Sequence, residues 1–180
     1  VQKLVRGSRG LRWSPGHLAE LEAQLPVSQD PFFNPTNQTY RGRGRLGGAS
    51  INLKIGLLSG CVMPLLQGGT MEATVRVLTR NGCDVVVPMG QGCCGALNIH
   101  GGDLDYGRRM ARRHICVFLE AGVDRIVVAS AGCGSAMKEY HELLADDPIY
   151  LDRARRFSKL TMDITELLVS LPFQPPRAAV

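Results

Sequence analysis

The sequence contains no long apolar run, and its longest apolar segments are the strand-like DVVV and RIVVAS. A helix that crosses a bilayer needs ~20 consecutive apolar residues, so we do not expect the chain to span a membrane. It also lacks a positively charged start followed by an apolar stretch, which a secretory signal would show. Six cysteines in 180 residues are far too few for a disulfide scaffold. We therefore expect reduced thiols and a cytoplasmic location.

Two kinds of motif are also missing. The glycine-rich segment GLLSGC does not match the dinucleotide fingerprint G-x-G-x-x-G, and no phosphate-binding G-x-x-x-x-G-K-[ST] occurs. There is no C-x-x-C pair either, although such pairs are typical of zinc sites and of dithiol oxidoreductases. The sequence therefore offers no readable nucleotide site, and its cysteines need another explanation.

The composition, 44% hydrophobic and 21% charged, is that of an ordinary folded domain. We divide the chain into a basic irregular arm with one short helix (1–50), a domain (51–171) and a proline-rich tail (172–180). The arm holds most of the net charge of +5 and ends in RGRGRLGG. Because it lacks the interleaved aromatic residues of a nucleic-acid-binding segment, we expect no nucleic-acid partner.

Apolar strands and amphipathic helices alternate along the domain. Continuous apolar strands of this kind are typical of a parallel sheet that is covered on both faces, so the predicted fold class is α/β. The strand signals are KIGLLSGC from Lys54, CDVVVP at 83–88 and DRIVVAS at 124–130, and the predicted helices are PGHLAELEAQL in the arm, Thr70–Asn81, Asp103–Ala121 with Asp103 as its cap, Ser135–Ala145 and Asp163–Ser170.

Four cysteines follow the three strands, in glycine-flanked turns that should meet at the carboxyl edge of the sheet. Thiolates brought together repel one another unless a metal neutralises them. Flanking glycines let the backbone approach a cluster closely and aim amide groups at it. We therefore predict a [4Fe-4S] centre with Cys61, Cys93, Cys94 and Cys133 as ligands and Gly60, Gly92, Gly95 and Gly132 beside it.

Three other interpretations of the cysteines stay open. The same four thiolates suit a structural zinc ion, and a dithiol oxidoreductase is a weaker alternative because neighbours such as Cys93 and Cys94 form a strained ring. Inert burial suits Cys83 and Cys116, which lie at a strand start and inside a helix. His100, in the loop NIHGGD, is a candidate ligand or proton donor near the cluster, although a lone loop histidine is more often solvated.

The residues from Cys61 through GCCGALNIHGG to VVASAGCGSAMKEY resemble the cysteine-rich CCG domain found in heterodisulfide reductase and in the iron–sulfur subunits of lactate and glycolate oxidation. Gly60, Cys61, Val62 and Pro64 match the family's GCV-x-P, and Val77 and Leu78 match its VL motif. The resemblance spans roughly residues 54 to 170 and is strongest to the glycolate oxidase branch. One departure is Ala136, which stands where fuller family motifs have a fifth cysteine and argues against a non-cubane cluster.

This resemblance implies an iron–sulfur domain of an FAD-linked glycolate oxidase or dehydrogenase. Such a domain would relay electrons from flavin-containing subunits to a quinone or membrane acceptor. The complex would lie in the cytoplasm, peripherally at the inner face of the membrane. The resemblance also implies ferredoxin-type segments and a second CCG domain in the full subunit, neither of which is present in this sequence. A zinc-stabilised subunit-assembly module without a redox role is the alternative function.

Overall fold

The computed structural model describes residues 32–34, 39–43 and 53–172. The predicted helix PGHLAELEAQL, the RGRGRLGG segment beyond Arg43 and the tail from residue 173 lie outside these ranges. No helix in the described part of the chain is long and apolar enough to cross a membrane.

The centre of the fold is a five-stranded, mostly parallel sheet. Its strands run in the spatial order β1-β3-β2-β4-β5, and only the β1–β3 pair is antiparallel. The parallel register sets Ile55 opposite Val85 on one side and opposite Arg125 on the other. The strands are β1 Thr39–Tyr40, β2 Lys54–Leu57, β3 Asp84–Val86, β4 Arg125–Val128 and β5 Thr161–Asp163.

Helices follow the parallel strands and cover the sheet. The described helices are α1 Met63–Leu66, α2 Gly68–Arg80, α3 Ala96–His100, α4 Leu104–Glu120, α5 Ala131–Lys138, α6 Tyr140–Leu143, α7 Leu151–Leu160 and α8 Ile164–Ser170. Asp103 caps α4 as predicted, because its carboxylate accepts a hydrogen bond from the Tyr106 amide. Gly82, just past α2, takes the left-handed conformation expected of a helix stop.

Two apolar cores lie on opposite faces of the sheet. One contains Ile115, Phe118, Tyr140 and Phe157 from α4, α6 and α7. The other contains Met71, Leu78 and Leu167 from α2 and α8, together with Phe33 from the arm. A parallel sheet with helices on both faces confirms the predicted α/β class.

The predicted helix over Ser135–Ala145 is wrong in its start and its continuity. Helix α5 begins at Ala131 and ends at Lys138, and a separate short helix α6 follows after Glu139. Cys133 therefore lies in the first turn of a helix and not in a loop ahead of it. The glycines of AGCGSA suggest a turn by propensity, but burial of Gly134, Ala136 and Met137 outweighs that preference.

Two elements near the end of the domain were not predicted. Helix α7 packs Ala154 and Phe157 against the sheet, and β5 adds a parallel strand beside β4. The apolar residues of α7 do recur at helical spacing in LDRARRFSKL, which is a signal that the sequence offers. The three residues of β5 are too few for a periodicity and become a strand only by pairing with β4.

Candidate metal centre

The four predicted cysteines lie at the carboxyl edge of the parallel sheet. Cys61 follows β2, Cys93 and Cys94 follow β3, and Cys133 lies in α5 just after β4. The three strands are neighbours in the sheet, so their carboxyl ends are adjacent. The Cys94 side chain is buried, Cys93 and Cys133 are half-buried and Cys61 is exposed. The group therefore extends from the interior to the surface.

The four thiols form two hydrogen-bonded pairs, and charge interactions connect one pair with the other. Cys61 pairs with Cys93, and Cys94 pairs with Cys133. Charge interactions cross between the pairs, from Cys61 to Cys133 and from Cys94 to Cys93. The structure thus brings together four thiols that are far apart in the sequence.

Ionisation is divided unevenly within the inner pair. A hydrogen bond from the Cys94 thiol lowers the pKa of Cys133 to about 6, and the Ser130 hydroxyl acts in the same direction. The same contact, with burial, raises the pKa of Cys94. In the outer pair, partial burial and then the neighbouring Cys93 raise the pKa of Cys61. Without a cation the four thiols resist ionising together.

Backbone amides support the thiols at the CCG turn. The Gly95 amide donates a hydrogen bond to the Cys93 sulfur over 3.3 Å, and the Ala96 amide favours the ionised form of Cys94. Gly95 has φ +80°, in the left-handed region that favours glycine. Gly60, with φ +66°, has open space where a side chain would begin, and so does Gly132. A Cβ at Gly92 would lie 3.6 Å from the Arg113 guanidinium.

Gln91 joins two of the cysteine turns and was missed by sequence reasoning. Its amide oxygen accepts from the Ser59 backbone N–H at 2.9 Å, and its amide nitrogen donates to the carbonyls of Leu57 and Pro88 at 3.1 and 3.0 Å. Ser59 precedes Cys61, and Gln91 itself precedes Cys93. One side chain therefore fixes the distance between the ends of β2 and β3. A glutamine in a loop gives no such signal in the sequence.

A second support lies under the CCG turn and was also missed. The Tyr140 hydroxyl donates to the Cys94 carbonyl over 2.6 Å, and His114 Nδ1 lies 3.2 Å from the same hydroxyl. Both side chains are fully buried, and His114 Nε2 has no hydrogen-bond partner within the described ranges. Burial, and to a lesser extent the nearby Arg113 charge, lower the pKa of His114 to about 4, although the Gly92 carbonyl acts in the opposite direction. His114 is therefore neutral at pH 7.

His100 lies apart from this network. It is exposed at the end of α3 and lines a shallow cavity of about 150 Å³ with Glu139 and Glu142. Among the described residues, no hydrogen bond connects His100 to any of the four cysteines. A role for His100 at the centre stays a prediction.

The edge that carries the cysteines has little charge. The ranges 55–71, 85–99 and 126–137 contain no Asp, Glu, Lys or Arg. Arg113 reaches this edge from α4 and donates to the Gly90 carbonyl at 2.5 Å. Exposed apolar side chains accompany the turns, namely Val62, Leu65, Met89 and Leu97, the last of these 83% exposed. The three ranges and the thiols they carry thus form a partly apolar surface with little charge, which we call the cysteine edge.

The donor set fits an iron–sulfur cluster. Four thiols without an accompanying imidazole or carboxylate are the ligands that such clusters take. No three His, Cys, Asp or Glu side chains in the described ranges have the arrangement of a single-ion site. A [4Fe-4S] cluster would take one thiolate on each of its four irons, so four thiols that do not converge on a single ion are compatible with it. Open space at Gly60 and Gly132 leaves room beside the thiols.

Comparison with known proteins finds relatives that are named as iron-sulfur subunits. It is 35% identical over 175 residues to the probable glycolate oxidase iron-sulfur subunit of Bacillus subtilis, covering 96% of this chain and 38% of that protein. It is 39% identical over 121 residues to the glycolate oxidase iron-sulfur subunit of Escherichia coli, covering 66% of this chain and 30% of that protein. Lactate utilization protein A of Bacillus licheniformis is 32% identical over 119 residues, or 66% of this chain and 49% of that protein.

The chain thus spans between 30% and 49% of the length of these relatives. The part that carries all four clustered cysteines matches a family model as well. That model is described as a cysteine-rich domain, CCG, and it covers strands β2 to β4 and the turns between them. Residues 55–138 therefore form a cysteine-rich domain of the CCG family.

Proposed function

We propose that this chain holds a [4Fe-4S] cluster on Cys61, Cys93, Cys94 and Cys133 and serves as an electron-transfer domain of a complex that oxidises a 2-hydroxy acid such as glycolate. The observation that carries the proposal is the meeting of four thiols from three separate segments at one sheet edge. The relatives named as iron-sulfur subunits of glycolate oxidase support the same function.

A bound cluster would supply a site that gains and loses one electron at a time. The protein's part is to hold the thiolates and to stabilise the negative charge that collects there. The Gly95 and Ala96 amides point at sulfur, and Arg113 brings a positive charge to the Gly90 carbonyl. Burial of Cys94 excludes water from the inner side, while the exposed Cys61 keeps the outer side close to the surface, where an electron must enter or leave.

The partner in this proposal is a flavin-containing subunit of the same complex, and it docks on the cysteine edge. Depletion of charge together with exposed Met and Leu is typical of the core of a protein interface. Because electron transfer requires short distances, the surface around the most exposed ligand, Cys61, is the natural contact. Passage of electrons to a quinone or another membrane acceptor, with the complex peripheral at the inner face of the membrane, belongs to the same proposal.

The test is the metal content of the chain purified without oxygen. We expect about four iron and four acid-labile sulfide per chain, with broad visible absorbance that bleaches on reduction. Stoichiometric zinc in place of iron would contradict the proposal and favour a subunit-assembly module. Neither metal, after anaerobic reconstitution with iron and sulfide, would contradict cluster binding by this chain.

A further inference from the structure

A chain of buried hydrogen bonds runs from His114 through Tyr140 to the Cys94 carbonyl. A carbonyl only accepts, so the single proton of the Tyr140 hydroxyl is used in the bond to Cys94. The hydroxyl oxygen must then accept from His114, which places the ring proton on Nδ1. In this tautomer Nε2 carries a lone pair, and that atom has no hydrogen-bond partner within the described ranges.

Aromatic packing holds both members of the chain in place. The Tyr140 ring stacks on Phe157 at 5.4 Å between centroids, and the His114 ring meets the edge of Phe118 at 6.1 Å. All four rings belong to the core between α4, α6 and α7. The hydroxyl that reaches Cys94 is therefore fixed by the body of the domain and not by the loop it contacts.

The peptide unit that receives this bond has a second contact on its other side. The carbonyl of Cys94 and the amide of Gly95 belong to the same planar peptide. Tyr140 binds its oxygen, and the Cys93 sulfur accepts from its N–H at 3.3 Å. A rotation of this peptide would break both bonds at once. The orientation of the N–H toward Cys93 thus depends on the Tyr140 hydroxyl.

We propose that His114 and Tyr140 are positioning residues that fix the Cys94–Gly95 peptide, keep its amide on the Cys93 sulfur and thereby raise the reduction potential of the centre. An amide that donates to a ligand sulfur stabilises the reduced, more negative state of a cluster. His114 strengthens the effect because a hydroxyl that accepts a hydrogen bond becomes a better donor. The part of this inference that concerns potential rests on the proposed function; the part that concerns the peptide does not.

The first measurement uses the metal-free chain. Tyr140→Phe removes only the hydroxyl and keeps the stacked ring, so the Gly95 amide should exchange its hydrogen about fivefold faster or more than in wild type. Tyr150→Phe is the matched control, because the Tyr150 hydroxyl contacts Cys116, away from the CCG turn. Exchange at Gly95 within twofold of wild type in Tyr140→Phe would overturn the proposal.

The second measurement uses the cluster-loaded chain and a second pair of variants. His114→Asn keeps a donor near the position of Nδ1, whereas His114→Leu removes it. We expect a lower midpoint potential in Tyr140→Phe and in His114→Leu, and values close to wild type in His114→Asn and Tyr150→Phe. If Tyr140→Phe does not fold, the two His114 variants provide the test. Equal midpoint potentials in these two variants would overturn the proposal.

The two measurements separate this inference from the proposed function. Faster exchange at Gly95 in a chain that never binds iron would refute the cluster and support the positioning role. Iron binding with unchanged potentials in both Tyr140→Phe and His114→Leu would support the cluster and overturn the role in tuning.

Discussion

At the scale of single residues, the four cysteines are not equivalent. A hydrogen bond from Cys94 lowers the pKa of Cys133 to about 6, and Cys94 is the one buried thiol of the four. Cys94 therefore lies at the inner end of the group and Cys61 at its surface end, with Cys93 and Cys133 half-buried between them. Loss of an inner ligand should be more damaging than loss of an inert thiol elsewhere.

Cys133→Ala should lose cluster and stability together, since three thiolates would then lack their fourth partner. We expect iron per chain to fall by at least about half after anaerobic reconstitution, with a lower melting temperature for the reconstituted protein. Cys116→Ala is the control, because Cys116 contacts the Tyr150 hydroxyl and not the site. Equal iron in both variants would remove Cys133 from the ligand set.

Gln91→Glu should loosen the connection between the Cys61 turn and the CCG turn. The variant is the same size, but a carboxylate cannot donate to the Leu57 and Pro88 carbonyls and is repelled by them. We expect a loss of about 1–3 kcal/mol in the unfolding free energy of the metal-free chain. The matched change Gln67→Glu, at an exposed residue whose amide oxygen accepts only from Thr70, should cost less than about 0.5 kcal/mol. Urea unfolding of the two variants measures both free energies, and an equal loss in the two would contradict the prediction.

His114 should make the stability of the metal-free chain depend on pH. Its pKa falls from 6.5 to about 4 on folding, so the unfolded chain binds more protons between these values. The titration of His114 therefore does not change the unfolding free energy above about pH 6.5. As the pH falls toward 4, the unfolding free energy decreases by about 3 kcal/mol in all. His114→Asn should lose less stability over this window than wild type in denaturant titrations. Equal losses in the two proteins would contradict the prediction.

Much of the site at this scale could be predicted, but its supports could not. Thiol clustering follows from cysteines placed after neighbouring parallel strands, which periodicity and turn residues reveal. The hydroxyl of Tyr140 reaches a carbonyl 46 residues earlier in the chain. No local pattern encodes such a contact, because Tyr140 occupies an apolar helical position like any core residue. Gln91 gives no signal in the sequence either, because its backbone partners at Leu57, Ser59 and Pro88 come near it only in the folded chain.

At the scale of elements, α3 and α4 pack closely under the CCG turn because α4 has a glycine, Gly107, at the point of contact. A Cβ at Gly107 of α4 would lie 2.5 Å from the Ile99 side chain. A Cβ added at Gly95 would in turn lie 3.3 Å from Gly107 Cα. The absence of a side chain at Gly107 therefore lets α4 pack close enough for His114 to lie beneath the cysteines.

Gly107→Ala should separate these two helices. We expect the overpacked variant to lose about 1–3 kcal/mol of unfolding free energy and to retain its cluster less well. Gly69→Ala is the matched control in α2, where a Cβ would meet nothing within 4 Å. That variant should gain up to about 1 kcal/mol, because alanine is the better helix former. A Gly107→Ala protein as stable as the control would show that the close approach is not needed.

The misplaced start of α5 and the unpredicted strand β5 share one physical cause. Helix α5 begins in AGCG, where local propensity favours a turn and tertiary packing decides for a helix. Strand β5 has three residues and exists because β4 offers a free edge. By contrast α2 and α4 carry long apolar stripes and end at glycines, so both were predicted to within two residues at each end.

At the scale of the whole molecule, the cysteine edge has little charge although the chain as a whole is 21% charged. Leu97→Lys should weaken the affinity for the flavin-containing subunit that we propose as partner about tenfold or more, because a buried unpaired charge costs several times RT. Val169→Lys is the control, since Val169 is equally exposed at 87% but lies on α8. Titration of one protein with the other would measure both affinities. Similar weakening in the two variants would contradict docking on the cysteine edge.

Strand β1 and the segment after residue 138 lie outside the family-matched range 55–138, yet they supply the two outer strands, β1 and β5, of the sheet. A fragment trimmed to that range would leave β3 and β4 as bare outer strands and would uncover the core where Tyr140 and Phe157 pack. Bare strands of this kind pair with other chains. The unit that must be expressed intact thus runs from the arm to α8, and fragments cut at the family boundary should precipitate or swap strands.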